Sequence, residues 1–402
     1  VTRAVITGLG VVSPIGIGVP AFADSLFAGR SGIGPLAGMP DRPLSIPVAA
    51  QVRGFDPAAH VDPKRLNLLD RTSQFALVAA REAVGMAGLS FAGPLSERTG
   101  VVLGIGVGGM TTLDDAFLRL YGEGANRLHP LTIPRLMFSA PAAHLSMEYG
   151  ITGPAFAASS ACASSGHALG MALLLLRAGM ADVVLAGGAE ASLSFGALKG
   201  WEAMRIASPD TCRPFSKDRS GMVLGEGAAV LVLETEEHAR RRGAEVLAEL
   251  AGVGLGADAG DITAPDPQGA ARAMRAALKD ARLDPDAVDY VNAHGTATAA
   301  NDVAEAQAIH AVFGARAARL PVSSSKSMFG HALGAAGALE AVTTVLALTH
   351  SIVPPTANFT EPDPACPVDA VPNAAREVPM TVALSNSFAF GGLNAVLALR
   401  RV

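Results

Sequence analysis

Short apolar runs alternate along this chain with longer stretches whose apolar positions recur at helical spacing. Strands are predicted at Ala4–Thr7, Val101–Gly104, Val183–Ala186, Ala228–Glu234, Val288–Asn292 and Thr381–Leu384. Helices are predicted at Asp70–Ala87, Cys162–Gly179, Gly269–Ala281, Val303–Val312 and Ala335–Thr349. Such alternation predicts an α/β fold. The two halves echo each other. Val183 to Gly188 and Val382 to Ser387 each carry an apolar strand into a turn, as a duplicated fold with its site between the halves would. The mildest breaks are Gly254–Gly269 and Val353–Val368, so the expected division is 1–253 and 254–402.

Composition sharpens this picture. Half the residues are hydrophobic, only 5% are aromatic, and 44 are glycine. That mixture suits helices packed closely on a buried sheet. A net charge of −5 gives no global attraction to nucleic acid or to an anionic membrane, and neither partner is expected. Cys162, Cys212 and Cys366 fall at neither zinc spacing nor disulfide spacing, which points to a reducing cytoplasm. The chain opens on its first strand without a basic-then-apolar leader. Its longest apolar stretch is read as Ala168–Leu176, too short for a bilayer. Gly8-Leu9-Gly10 lacks the third glycine of a dinucleotide fingerprint. Gly104 to Gly109 lacks the Lys-Ser/Thr of a phosphate loop, so no nucleotide is expected.

Candidate chemistry gathers at four segments. From Phe156 to Gly170 an extended run enters small residues, then Cys162, then a helical pattern. A thiol at a helix N-terminus is predicted to be a low-pKa nucleophile for acyl transfer, with Ser159, Ser160, Ser164 and Ser165 keeping its approach open. Asn292 to Thr298 places His294 beside Thr296 and Thr298 at a strand end. Ser323 to Glu340 places His331 between Lys326 and Glu340; an ammonium among small residues needs a partner, and Glu340 or a backbone carbonyl is the candidate. Ser385 to Asn394 predicts a tight loop around Gly391-Gly392.

Together these segments resemble the β-ketoacyl-acyl-carrier-protein synthases, most closely the elongating type II class with a Cys-His-His set. The resemblance extends to Val5–Pro14, Ala186–Glu190, Cys212–Arg219 and Gly225–Gly227. It implies a thiolase-like fold of two similar halves in five α-β-α-β-α layers, a dimer, and acyl chains carried on acyl-carrier-protein phosphopantetheine, with no metal or redox cofactor. It implies Cys162 as nucleophile, His294 and His331 as the decarboxylating pair, and Lys326 and Glu340 as charged supports. Thr296 and Thr298 match pantetheine contacts, and Asp302 and Glu305 match acidic residues behind the site. The backbone N–H groups of Cys162 and Phe390 match an oxyanion hole.

Phe388, Ala389 and Phe390 match the gate, and Val107, Thr132 and Trp201 the acyl-pocket lining. Lys64, Arg65 and Arg205 are candidate carrier-protein contacts. Ala389 stands where the family commonly has glycine and is expected to stiffen the gate. Ser216 and Ser220 stand where aspartates are common. The pocket residues point to a polyketide or polyene pathway rather than plain saturated chains. His331 disfavours chain-starting enzymes, which carry Asn there, and the loop at Phe390–Leu393 lacks the thiolase cysteine. A ketosynthase/chain-length-factor heterodimer, with this chain as its catalytic half, and a non-catalytic partner subunit are the alternatives.

Overall fold

The computed structural model describes residues 2–402. Ten strands carry the fold: β1 (Ala4–Ser13), β2 (Thr99–Gly104), β3 (Ala155–Ala158), β4 (Val183–Glu190), β5 (Gly227–Thr235), β6 (Ala248–Ala257), β7 (Tyr290–Asn292), β8 (Val322–Ser323), β9 (Val382–Ala389) and β10 (Leu393–Arg400). Their order in the sheet is β8-β7-β9-β10-β6-β1-β5-β4-β2-β3. Numbered within its own half, each set of five runs third, second, fourth, fifth, first. In each half the three outermost strands are parallel and the rest antiparallel. The halves meet where β1 pairs β6 through Ala4↔Leu250, Val5↔Glu249 and Ile6↔Ala248.

Strand periodicity explains the layers. Ala229, Leu231 and Leu233 of β5 face a central core, while Ala228, Val230 and Val232 face an outer one. Both faces are covered, so the strands read as continuous apolar runs. The central core holds α3 (Ser164–Arg177) and α6 (Ala336–His350), each touching strands of both halves. Outside the first half lie α1 (Arg71–Ala87) and α2 (Ala140–Tyr149). Outside the second lie α4 (Pro267–Ala281) and α5 (Ala299–Phe313). This is the five-layer thiolase-like arrangement.

Three expectations change. A division at 253/254 falls inside β6, whereas the strand-order repeat puts the join ahead of Ala248. The longest apolar helical stretch is Leu333–His350 rather than Ala168–Leu176; 89% of it is buried, as a central helix between two sheets must be. The predicted helix from Cys162 begins at Ser164, leaving Cys162 in the turn before it.

Candidate active site

Strand β3 delivers the chain into a turn, and α3 leaves it. Ala161 adopts left-handed φ of 50° immediately before Cys162. Such a residue persists only where its surroundings hold it. Ser164 Oγ accepts the Ser160 N–H at 2.9 Å and donates to the Ala161 carbonyl at 2.6 Å, while Ser160 Oγ meets His167 Nδ1 at 2.9 Å. Ser164 and Ser165 are buried and open no path to the sulfur: Ser164 builds the turn, and Ser165 faces the Gly334 carbonyl. Cys162 is 6% exposed and packs with Leu193, Leu198, Met222 and Leu333. Burial pushes its thiol up to about 11, against the opposing pull of Lys326 and its own backbone N–H. The expected standing thiolate is thereby corrected: desolvation outweighs the helix terminus.

The two imidazoles come from the second half. His294 follows β7 on a loop pinned by Glu305, which accepts the N–H of His294 at 2.8 Å, of Gly295 at 2.7 Å, and Asn386 Nδ2 at 3.0 Å. Asp302 accepts the N–H of Phe215 at 2.8 Å and of Ala297 at 3.2 Å, fixing Ala297 at φ 65°. Burial pushes Asp302 up to about 6. His331 is held by its own N–H to Val223 O (2.7 Å) and by Gly225 N–H to its carbonyl (2.9 Å).

Lys326 is fully buried and aims its ammonium at Glu340, at His294 O (2.7 Å) and at His294 Nδ1 (3.2 Å). Both partners foreseen for this lysine, carboxylate and carbonyl, are present. Burial pushes Glu340 up to about 7. Leu333 N–H donates to His331 Nδ1 at 3.3 Å. With a donor facing Nδ1 on each ring, the ring proton belongs on Nε2 in both. Burial and Lys326 lower both imidazoles well below 6.5, and His331 lowers His294 further, so both stay neutral. The rings lie 5.4 Å apart at 86°.

Cys162, His294 and His331 line one cavity together with Thr296, Thr298, Trp201, Phe388, Ala389 and Phe390. Thr296 Oγ1 and Thr298 Oγ1 are 2.9 Å apart at its polar side. Phe388 meets His294 edge-on at 6.1 Å, and Phe390 stacks on Trp201 at 6.2 Å and 26°. The turn after β9 uses Gly391 (φ 80°) and Gly392 (φ 67°), whereas Ala389 is extended at φ −112°. Its Cβ meets no left-handed strain in this conformation; the expected stiffening concerns the opened loop.

Sequence reasoning missed the segment that covers this turn. Gly391 N–H donates to Ile262 O (2.8 Å), Asp258 N–H to Gly392 O (2.9 Å), and Asn394 Nδ2 to Asp258 Oδ1 (2.6 Å). Asp258–Pro265 was legible only as an irregular Gly/Asp/Pro stretch. Val107 joins the apolar residues around Cys162. Thr132 does not: its hydroxyl bonds His129 O (2.7 Å) in a separate depression beside Leu118 and Arg135. Arg65 is committed to Glu148 at 2.6 Å, leaving Lys64 and Arg205 exposed and without an ion-pair partner among the described residues. Ser216 and Ser220 bond hydroxyls (Thr360 Oγ1 at 2.9 Å, Ser208 Oγ at 2.8 Å), while Arg213 pairs with Asp210 at 2.6 Å and Arg219 with Asp363.

Comparison with known proteins gives a consistent picture. Residues 2–239 match the family described as Beta-ketoacyl synthase, N-terminal domain, and residues 247–360 its C-terminal domain. Nodulation protein E of Rhizobium sp. (strain N33) is 47% identical over 400 residues, covering 100% of this chain and 99% of that protein. The 3-oxoacyl-[acyl-carrier-protein] synthase 2 of Staphylococcus aureus (strain N315) is 41% identical, covering 99% and 98%. The solved structure of the ishigamide ketosynthase/chain length factor superposes with a TM-score of 0.94 at 38% identity, covering 100% and 99%. A buried cysteine faced by two neutral imidazoles, on a duplicated sheet whose whole length matches these proteins, places this chain in the β-ketoacyl synthase family.

Proposed function

We propose that this chain catalyses the decarboxylative condensation of a Cys162-bound acyl group with malonyl-acyl carrier protein, lengthening the chain by two carbons. Cys162 Sγ attacks the incoming thioester carbonyl, and its proton leaves with the pantetheine thiol. The backbone N–H groups of Cys162 and Phe390 stabilise the tetrahedral oxyanion. Malonyl thioester then enters, with Thr296 and Thr298 on its pantetheine arm. Loss of CO2 puts negative charge on the thioester oxygen, toward which His294 and His331 donate Nε2–H. The enolate carbon attacks acyl-Cys162, and the expelled thiolate recovers a proton from solvent. Carbon, charge and protons balance without a metal or redox cofactor, the phosphopantetheine arriving with the substrate.

The observation that carries this reading is the pair of imidazoles, each facing a donor at Nδ1 and lining the same cavity as the sulfur. The test is mass spectrometry of the protein with a panel of acyl carrier proteins. An acyl increment on the Cys162 peptide, followed by a 3-oxoacyl product on adding malonyl carrier protein, is expected. Acylation elsewhere, or free acid without condensation, overturns the reading.

Trp201 stacked on the gating Phe390 beside a small Val107 supports flat, unsaturated polyketide or polyene primers over saturated ones. Equal rates among saturated, unsaturated and polyenoyl primers would remove that preference. Carrier protein is acidic, and Lys64 and Arg205 are its free basic contacts, Arg65 being paired. The functional unit is a cytoplasmic dimer, either a homodimer or a ketosynthase/chain-length-factor pair in which this chain is catalytic. A non-catalytic role is disfavoured by the intact Cys162, His294 and His331.

A further inference from the structure

The motif ending in Glu190 is absorbed by none of these steps, yet its carboxylate lies where three chain segments converge. Glu190 is 0% exposed at the end of β4. One oxygen, Oε2, accepts the N–H of Gly106 at 2.8 Å, of Val107 at 3.2 Å and of Gly334 at 3.1 Å. The first two belong to the loop after β2 in the first half; the third belongs to the loop bearing His331 in the second. The surroundings are made to admit this oxygen. A Cβ on Gly106 would lie 2.5 Å from Oε2, and a Cβ on Gly334 2.6 Å from it. Burial pushes the carboxyl up to about 7 even against these donors.

Gly334 is gripped at both ends, for its carbonyl accepts the hydroxyl of Ser165 on the nucleophile's helix. The residue before it, Leu333, holds a left-handed φ of 45°, unfavourable for a branched side chain. That same strained residue supplies the N–H that fixes His331 Nδ1. We infer that Glu190 and Ser165 are positioning residues: by clamping the Gly334 peptide they hold Leu333 in its strained conformation and so keep the His331 Nε2–H aimed into the cavity. Released, Leu333 relaxes toward negative φ, its N–H leaves the imidazole, and His331 is free to rotate and change tautomer. Cys162 acylation, which does not need His331, is affected only through Val107, whose N–H Glu190 also holds.

The inference rests on the condensing-enzyme reading, and two half-reactions separate the two. Wild type must both acylate Cys162 and decarboxylate malonyl carrier protein; absence of either overturns the reading itself. E190M keeps side-chain length but offers no acceptor, whereas E190Q can keep an oxygen at the Oε2 position. For E190M, kcat for malonyl decarboxylation is expected to fall at least about tenfold at unchanged KM, with Cys162 acylation within about threefold of wild type. E190Q is expected to restore decarboxylation to within about threefold, because the clamp needs an acceptor and not a charge. S165A changes volume little, and is expected to lower decarboxylation about threefold or more with acylation retained. Equal loss in both half-reactions, or E190Q as impaired as E190M, overturns the inference. So does S165A indistinguishable from wild type, which remains decisive if E190M fails to fold.

Discussion

Lys326 has three N–H groups and three protein acceptors, and this saturation sets the chemistry of the centre. Burial, and after it this charge, keeps both neighbouring imidazoles neutral, and the third bond selects the His294 tautomer. K326M strands Glu340 without its cation; loss of one member of a buried pair costs about 3 kcal/mol or more, less whatever Glu340 recovers by taking up a proton. Malonyl decarboxylation is expected to fall about a hundredfold while acylation of Cys162 persists, as single-turnover assays of each half-reaction would reveal. The pH dependences should also separate. The imidazoles are lowered well below 6.5, so their neutral form survives acidification to about pH 6, and a decarboxylation limb near pH 7 is expected to report Glu340 or Glu190, both raised to about 7, and not a ring. The thiol is raised to about 11, so its reactive form grows as pH rises, and acylation should climb through the whole neutral range. An acylation plateau at neutral pH would contradict the electrostatics described here.

Elements show where the gate's freedom lies and why parts of the fold escaped sequence reasoning. Gly391 and Gly392 both have positive φ, but their surroundings differ. A Cβ on Gly391 meets only Leu393 at 3.9 Å, whereas one on Gly392 would lie 2.5 Å from Asp258 Cβ. G391A is therefore expected to cost about 1 kcal/mol of conformational strain. G392A adds a collision that drives the Asp258–Pro265 cover off the turn, and should slow or deregulate Cys162 acylation far more than G391A. Thermal denaturation and acylation rates of the two variants would check this, and equal behaviour would count against it. The covering segment was invisible beforehand because two of its three bonds to the gate run between main-chain groups, which side-chain patterns do not encode.

Strand β6 was missed for a related reason. Gly252 and Gly254 break its apolar run, yet a Cβ at either would strike the α4 backbone at Ala281 or Ala273, so they are sites of close packing and not of a turn. Strand β9 was cut short at Leu384 because Ser385, Asn386 and Ser387 look like loop residues; they are buried, and Asn386 bonds Glu305. By contrast β5 was legible as a continuous apolar run and α1 by its 3.6 period, while β1 and β4 showed only their first four residues as such runs. Cys162, His294 and His331 were legible as motifs, but the sulfur's burial, which reverses its expected pKa, depends on contacts from Leu193, Leu198 and Met222 far along the chain.

At the scale of the whole molecule, two surfaces are left unfinished. Strand β3 pairs only with β2, so the last strand of the sheet offers its other edge, and Phe156, Ala157 and Ala158 there are half-buried. Between residues 117 and 138, Phe117, Leu118, Tyr121, Leu131, Ile133, Met137 and Phe138 are exposed, Tyr121 by 78% and Ile133 by 63%. Soluble chains rarely leave so dense an apolar run uncovered, and unpaired edges invite a second strand. A partner that extends the sheet at β3 and covers this segment satisfies both. Thr132 lies within the same segment but is itself buried, its hydroxyl bonded to His129 O, so it does not line the cavity of Cys162. An obligate interface of this kind buries roughly 2,000 Å² or more with an apolar centre. I133D combined with F138D places two like charges on that apolar centre, where neither can offset its desolvation by pairing with the other. Sedimentation should show wild type as a dimer at micromolar concentration and the double variant as a monomer of unchanged circular dichroism. A homodimer or a mixed pair is then told apart by native mass. If the variant still sediments as the wild-type dimer, the covered face lies elsewhere.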